Sequence, residues 1–321
     1  MESLLLIKEN LIFSLNATIP IFLLIVLGWF LMQIKLFNKE FTTVADKYVF
    51  KVALPVLLFK DIATAEITES FDLKFVLFCM IATTIMFMGV WALATIFIKD
   101  KSMVGAFVQA SARGSAAILG IAFVNNIYGS SGMAPMMIVA AVPLYNIYSV
   151  IILTFCSSEN QNSKGTIKKA FINIAKNPII IGIVLGLIVS LLGIEMPTIL
   201  SKAVTNVANT ATPIALLVVG ATFEGRKAIK KIKPTMIATF IKLIGIPLVL
   251  FPFAVMMGFR NSELVAILVM LGSPTTVTCY IMAKNMGNDE VLSSSIVVMA
   301  TLLSSITLTA WVFVLKSLAL I

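Results

Sequence analysis

Apolar residues run along this chain in long blocks separated by short polar stretches, with little of the two-residue or three-to-four-residue alternation of half-buried elements. A helix needs roughly 20 apolar residues to bridge the hydrocarbon core of a bilayer. Ten blocks meet that length: residues 11–33, 40–60, 72–98, 103–125, 133–156, 177–194, 197–222, 234–259, 263–286 and 289–315. They predict an all-α integral membrane protein with ten transmembrane helices. The first block is too long for a cleaved signal, follows acidic Glu2 and Glu9, and has no small-x-small cleavage site, so it is read as a span. The longest polar stretch, 157–176, separates two sets of five spans. The organisation expected is a first five-helix repeat at 1–156, a cytoplasmic linker at 157–176, and a second repeat at 177–321.

The loops alternate in charge. Lys35, Lys39, Lys47, Lys51, Lys99, Lys101, Lys164, Lys168, Lys169, Lys176, Arg226, Lys227, Lys230, Lys231, Lys233 and Lys284 fall on one side, 16 of the 24 basic residues. The other side has Lys8, Lys60, Lys74, Lys202, Arg260 and Lys316, with an acidic cluster of Asp61, Glu66, Glu69 and Asp72. Basic loops stay in the cytoplasm, so both termini are expected outside a multi-pass protein of the plasma (inner) membrane.

The halves resemble each other at an offset of 158 residues. Pro20-x7-Gly28 in span 1 recurs as Pro178-x7-Gly186 in span 6, and Ile25-Val26-Leu27-Gly28 as Ile183-Val184-Leu185-Gly186. Gly28 to Pro55 and Gly186 to Pro213 are each 27 residues, and the same offset carries Gly114-Ser115 onto Gly272-Ser273. With five spans per copy, the second must enter the membrane from the opposite face. Such inverted repeats are the recurrent architecture of secondary transporters.

Spans 4 and 9 carry breaks. Arg113-Gly114-Ser115, followed by Gly120, interrupts span 4, and Gly272-Ser273-Pro274-Thr275-Thr276 interrupts span 9. Unwound backbone at membrane depth survives only when buried in protein or facing a wet cavity. Paired breaks at corresponding places in two halves point to a transport site, where half-helix N-termini offer amides and positive dipole ends to an anion. The candidate substrate-binding residues are therefore Arg113, Gly114, Ser115, Gly120, Gly272, Ser273, Pro274, Thr275 and Thr276. Arg113 is read two ways, as a fork for a substrate carboxylate or as a group with a structural partner. Lys242 is expected to snorkel to the cytoplasmic side. Asn206, Asn209, Thr210 and Thr212 precede Pro213 in span 7. They are read either as neutral oxygen ligands for Na⁺ or as interhelical hydrogen-bonding groups. No catalytic residue, cofactor or certain metal site is implied; a coupling ion, Na⁺ or H⁺, is left open.

Composition narrows the function. The chain has 321 residues, 60% hydrophobic and 12% charged, with a net charge of +9. Its mean hydropathy is +1.04. Too few charges are present to coat a soluble particle, so a soluble enzyme or nucleic-acid binder is excluded. There is no His, which removes His-ligated metals and His acid–base chemistry. Cys79, Cys156 and Cys279 lie at unrelated spacing in apolar runs and read as buried small residues. No Asp or Glu stands mid-span, which argues against a carboxylate proton relay and a sodium/proton antiporter. A membrane enzyme lacks its Asp-rich motif, catalytic His or paired acids, and a receptor lacks a long soluble segment.

The segments ALPVLLF (53–59), NPIIIGIVLG (177–186), TPIALLVVGATF (212–223) and GSPTTVTCYIMAKNMG (272–287), in this order, resemble the auxin efflux carrier family in its bacterial organic-acid permease branch, of the malonate/malate type. The resemblance covers nearly the whole chain. It implies two inverted five-helix repeats with broken, crossing helices 4 and 9, an architecture similar to that of bile-acid symporters. It also implies one panel of spans 1, 2, 6 and 7 and another of spans 3–5 and 8–10. Pro274 matches the family's crossover proline and Gly120 its glycine after the helix 4 break. The Asn usual at that break is replaced within Gly114-Ser115-Ala116, and a Pro often found after the glycine is Ala122. The function implied is secondary transport of a small organic anion, a dicarboxylate or weak acid, by alternating access; the alternative weighed is a sodium-coupled symporter of the bile-acid type. The partners implied are that anion and the lipid bilayer, with a homodimer left open and no nucleic acid.

Overall fold

The computed structural model describes residues 2–64, 72–157 and 167–321. Glu66 and Glu69 of the acidic cluster, and Lys164 with the rest of 158–166, lie outside the described residues. Among the described residues the fold is all-helical, without strands. The helices are α1 (Glu2–Gln33), α2 (Lys39–Tyr48), α3 (Leu54–Ala63), α4 (Leu73–Phe97), α5 (Val104–Ala112), α6 (Ala116–Tyr128), α7 (Ala134–Cys156), α8 (Ile167–Ala175) and α9 (Pro178–Leu191). After these come α10 (Thr198–Thr222), α11 (Gly225–Lys230), α12 (Ile232–Phe240), α13 (Ile246–Met256), α14 (Asn261–Gly272), α15 (Thr278–Asn285) and α16 (Glu290–Ser317). Five stretches are long and apolar enough to cross a membrane: α4, α7, α10, the α12–α13 run and α16. Shorter apolar helices accompany them.

Several helices start where the sequence supplies a cap. Asn38, Asp72, Asn177 and Asp289 each accept a backbone N–H of the first turn that follows. Such caps satisfy amides that the helix leaves unpaired. Two single wide turns with i→i+5 hydrogen bonds, Val49–Ala53 and Ile241–Gly245, join α2 to α3 and α12 to α13. Each lies just before a proline, Pro55 or Pro247. Proline lacks an N–H and crowds the carbonyl four residues earlier, and a wider turn relieves that clash without ending the helix. The carbonyl of Leu243, four residues before Pro247, accepts from Trp311 Nε1 at 3.0 Å instead.

Apolar side chains form two cores. One gathers α4–α7, α12–α14 and α16. The other gathers α1, α2–α3, α9 and α10 and takes in α15. Each core therefore draws on both halves of the sequence. The outer faces stay apolar: Phe97, Leu191, Ile199 and Met256 are all more than 70% exposed, as lipid-facing positions require. By contrast, every residue of α5 is buried, as is every residue of α14 from Leu264 to Gly272. With all of these side chains covered by other parts of the protein, these interrupted helices are the innermost of the fold. All three cysteines are buried and free, as the sequence implied.

The second core is closed by glycines. A Cβ on Gly28 of α1 would meet the Leu217 carbonyl of α10 at 2.1 Å, and one on Gly186 of α9 would meet the Phe59 carbonyl of α3 at 2.9 Å. The 158-residue offset that carries Gly28 onto Gly186 also carries Phe59 onto Leu217, so the two close approaches are the same contact made twice. Gly220 is tightest: its Cβ would fall 1.8 Å from the Ile25 carbonyl. Such small-residue contacts let helix backbones pack closely in a bilayer. Replacing Gly220 by Ala should therefore destabilise the protein by about 1–3 kcal/mol through overpacking. Gly89→Ala on α4, where a Cβ meets nothing within 4 Å, should stabilise it by roughly 0.5–1 kcal/mol through helix propensity. Thermal unfolding in detergent distinguishes the two.

Candidate functional site

The breaks lie at 113–115, between α5 and α6, and at 273–277, between α14 and α15. Their extended backbones meet in one isolated antiparallel bridge, Gly114 with Thr275. The Ser115 N–H donates to the Pro274 carbonyl at 2.9 Å. The second break is five residues long against three. Ser273 is held extended (φ −67°, ψ 154°), the conformation a residue before proline favours. The last helical residues before the breaks, Ala112 and Gly272, are thus offset by 160 residues, not the 158 of the outer helices.

Backbone groups released by the breaks find partners on other elements. In an unbroken α14–α15 helix, residue 274 would donate to the Met270 carbonyl, but Pro274 has no N–H. Tyr145 Oη of α7 donates to it instead, at 2.8 Å. The next freed carbonyl, that of Leu271, accepts from Lys242 Nζ at 2.8 Å. In the first break the Ala110 carbonyl accepts from Thr275 Oγ1 at 2.6 Å. Leaving any of these unpaired at membrane depth would cost several kcal/mol. The amides at the starts of α6 and α15 differ: neither Ser115 nor Val277 makes a side-chain cap.

A cavity of about 240 Å³ lies against this crossing. Arg113, Gly114, Ser115 and Ala117 form one wall, Thr276 and Thr278 another, Val142 and Tyr145 of α7 a third, and Leu54, Leu57, Leu58 and Asp61 of α3 with Thr212 of α10 the last. A second cavity of about 540 Å³ shares Leu58, Asp61, Ala117 and Val142 with it and continues past Lys60 and Thr64 to Ser131. Lys284 Nζ of α15 pairs with Asp46 Oδ2 of α2 at 2.8 Å and donates to Tyr280 Oη at 3.0 Å. Tyr280 Oη in turn bonds Thr222 Oγ1 of α10 at 2.8 Å. Asp46 is only 2% exposed.

Arg113 is buried, and its guanidinium donates to Asn146 Oδ1 and to Met282 Sδ, each at 2.7 Å. Asn146 is itself oriented by its Nδ2 bond to the Val142 carbonyl at 2.9 Å. Thioether sulfur is a weak acceptor. Among the described residues no carboxylate lies within 4 Å of Arg113. The guanidinium thus has neutral partners and also forms part of the cavity wall. Both roles read from the sequence, structural partner and cavity group, meet in one residue.

Of the other residues singled out, Gly114, Ser115 and Thr276 reach the cavity wall; Pro274 and Thr275 build the crossing. Ser273 is fully buried, and its hydroxyl has no hydrogen-bond partner. Gly120 and Gly272 stand away from the cavity, where they let Met137 and Pro247 pack closely. Asn206 and Asn209 are exposed. The Thr210 hydroxyl donates to the Val207 carbonyl at 2.7 Å and pairs with Tyr48 Oη at 2.9 Å. These three stand apart from the cavity residues, whereas Thr212 reaches the wall.

One expectation is overturned. Lys242 does not snorkel: it is 0% exposed and lies in the wide turn at the middle of the α12–α13 run. The helix starts at Ile232 and ends at Met256, so Lys242 stands about 15 Å along it at 1.5 Å per residue, too deep for its stem to reach the end. Counting from both helix ends would have indicated this depth. The Asp46–Lys284 pair was also missed, because neither residue is mid-span and their partnership joins segments far apart in sequence.

A profile described as "Membrane transport protein" matches residues 13–312. The chain is 26% identical over 311 residues to "Uncharacterized transporter YfdV" of Escherichia coli (strain K12), covering 95% of this chain and 98% of that protein. It is 22% identical over 304 residues to an "Uncharacterized transporter" of Methanothermobacter thermautotrophicus, covering 94% and 98%. It is 24% identical over 312 residues to a "Putative malonate transporter" of Rhizobium meliloti (strain 1021), covering 95% and 97%. With that match over most of its length and an apolar helical fold, the chain belongs to the membrane transport protein family, the auxin efflux carrier type, whose members are transporters and not enzymes.

Proposed function

We propose that this protein is a secondary transporter that carries a small organic anion across the plasma membrane by alternating access. The observation that carries this reading is the buried Arg113, in the wall of the cavity at the crossing with only neutral partners. A buried cation is unstable unless something balances it; Asp61, the one acid in the cavity wall among the described residues, pairs with Lys60 at 3.6 Å rather than with Arg113, and an anion in the cavity would supply the balance. The N-terminus of α6, which has no side-chain cap, adds positive partial charge beside the cavity. The printed name of the Rhizobium relative agrees with an organic diacid.

Taken across their interruptions, α2–α3, α5–α6, α12–α13 and α14–α15 each make one passage. With α1, α4, α7, α9, α10 and α16 the chain crosses the bilayer ten times, in two inverted sets of five split by 157–176. Both termini are outside. The two apolar cores support a division into two panels that move against each other. The cavity continuing past Lys60 and Thr64 is then the outer entrance, and the Asp46–Lys284–Tyr280–Thr222 chain is the closed inner gate.

Uptake of radiolabelled dicarboxylates and aromatic weak acids into proteoliposomes tests the reading; no saturable flux of any of them, under any ion gradient, would sink it. Arg113→Gln should lower apparent affinity by roughly 10- to 150-fold, the equivalent of one charge-assisted hydrogen bond of about 1.5–3 kcal/mol. Pro274→Ala should depress transport more than expression, because a restored N–H competes with Tyr145 for the Met270 carbonyl and closes the break. Asp46→Asn should loosen the inner gate. A Thr212→Cys reporter would then be labelled by impermeant maleimide from the cytoplasmic side, whereas without the gate mutation labelling comes from outside only.

A further inference from the structure

Lys242 stands directly behind the cavity. Its Nζ would be 2.9 Å, and its Cε 3.1 Å, from a Cβ on Gly114, and Ser273 Oγ would be 2.4 Å from the same point. Gly114 is part of the cavity wall. The ammonium is therefore separated from the cavity by the thickness of one glycine, and it can come that close because Gly114 has no side chain. Among the described residues Lys242 has no carboxylate within 4 Å. Its surroundings are neutral: the Leu271 carbonyl that it bonds, and the buried, unpartnered hydroxyl of Ser273.

Capping the Leu271 carbonyl does not require a charge, since any N–H donor of similar length would serve. An ammonium buried at membrane depth without an anion is strongly disfavoured. An amine so placed holds its proton most readily when an anion stands in the cavity in front of it. Coulomb attraction falls only as the inverse of distance and is weakly screened in a dry interior, so a charge one residue behind the wall still acts on an anion in front of it.

We propose that Lys242 is a second cationic group of the anion site, charged when an anion occupies the cavity and acting through the Gly114 wall. With Arg113 it places two positive charges at the crossing, while Asp61, the one carboxylate of the cavity wall among the described residues, is paired with Lys60 at 3.6 Å. Together the two cations favour an anion with two negative charges over one of the same size with a single charge. Lys242 is a positioning and selectivity residue rather than a contact. The inference rests on the anion-transport reading.

The test uses full-length protein in proteoliposomes, with malonate and succinate as dianions and their half-amides, malonamate and succinamate, as monoanions of matched size. The wild-type protein should prefer each dianion over its half-amide by about tenfold or more, and Lys242→Gln, whose amide still donates to Leu271, should lose about tenfold of that preference. Lys242→Arg should keep most of it, and thermal stability of Lys242→Gln should not fall, because a buried amine without a carboxylate partner has been removed. Gly114→Ala, which pushes the amine away without deleting it, should weaken the preference in the same direction and covers the case in which Lys242→Gln fails to fold. An unchanged ratio in Lys242→Gln, or a wild-type preference for the half-amides, overturns the role of Lys242 and leaves anion transport standing. No flux of any of the four compounds in the wild-type protein, with flux of other organic acids, overturns the role alone; no flux of any organic acid overturns both.

Discussion

Every backbone polar group that the two breaks release has to be paired without water, and the rest of the site follows from that requirement. Pro274 deprives the Met270 carbonyl of its helical donor, and Tyr145 supplies one from α7. The Leu271 carbonyl is taken by Lys242 from the wide turn between α12 and α13, and the Ala110 carbonyl by Thr275 from the opposite break. The interruptions are held by side chains of two other elements and by each other, and those elements are thereby fixed around the crossing.

The same pairing explains the chemistry of the cavity. Two extended segments bridged at Gly114 and Thr275 bring Ala117 at the start of α6, Thr276 just before α15 and Thr278 at its start to the wall of one cavity. Arg113, the last residue before the bridge, is held by Asn146 and Met282, so its charge is positioned yet not neutralised. The innermost helices, α5 and α14, bury every side chain over most of their length, which keeps water from screening that charge except through the cavity.

Around this centre the two apolar cores meet along α15, which packs against α10, α2 and the wide turn before α3 although α14 belongs to the other core. The break at 273–277 is therefore also where the chain passes from one core to the other. The Asp46–Lys284 pair secures α15 to α2 at one end, while at the other the cavity continues between α3 and α6 towards Ser131. The crossing thus lies where the two cores join, with an ion pair at one end of α15 and a cavity at the other.

Much of this was legible in the residues alone. Block length set the helices to within a few residues at most ends, because bilayer thickness is a strong constraint on apolar runs. Gly-Ser-Pro in span 9 marked its break, since this is a local consequence of backbone chemistry. Gly28 and Gly186 could be picked out as repeat landmarks, although only packing revealed that each faces a carbonyl of α10 or α3. What sequence could not decide was direction around a helix and depth along it. Whether Lys242 reaches the surface or turns inward depends on a wide turn and on a freed carbonyl 29 residues away. Asp46 and Lys284, 238 positions apart in the chain, become partners only when α2 and α15 pack together. Spans and breaks are written in local sequence because the bilayer and the peptide group impose them on every chain; charge pairing across the crossing is written only in the tertiary structure, because it depends on which neighbours fill the space that each break opens.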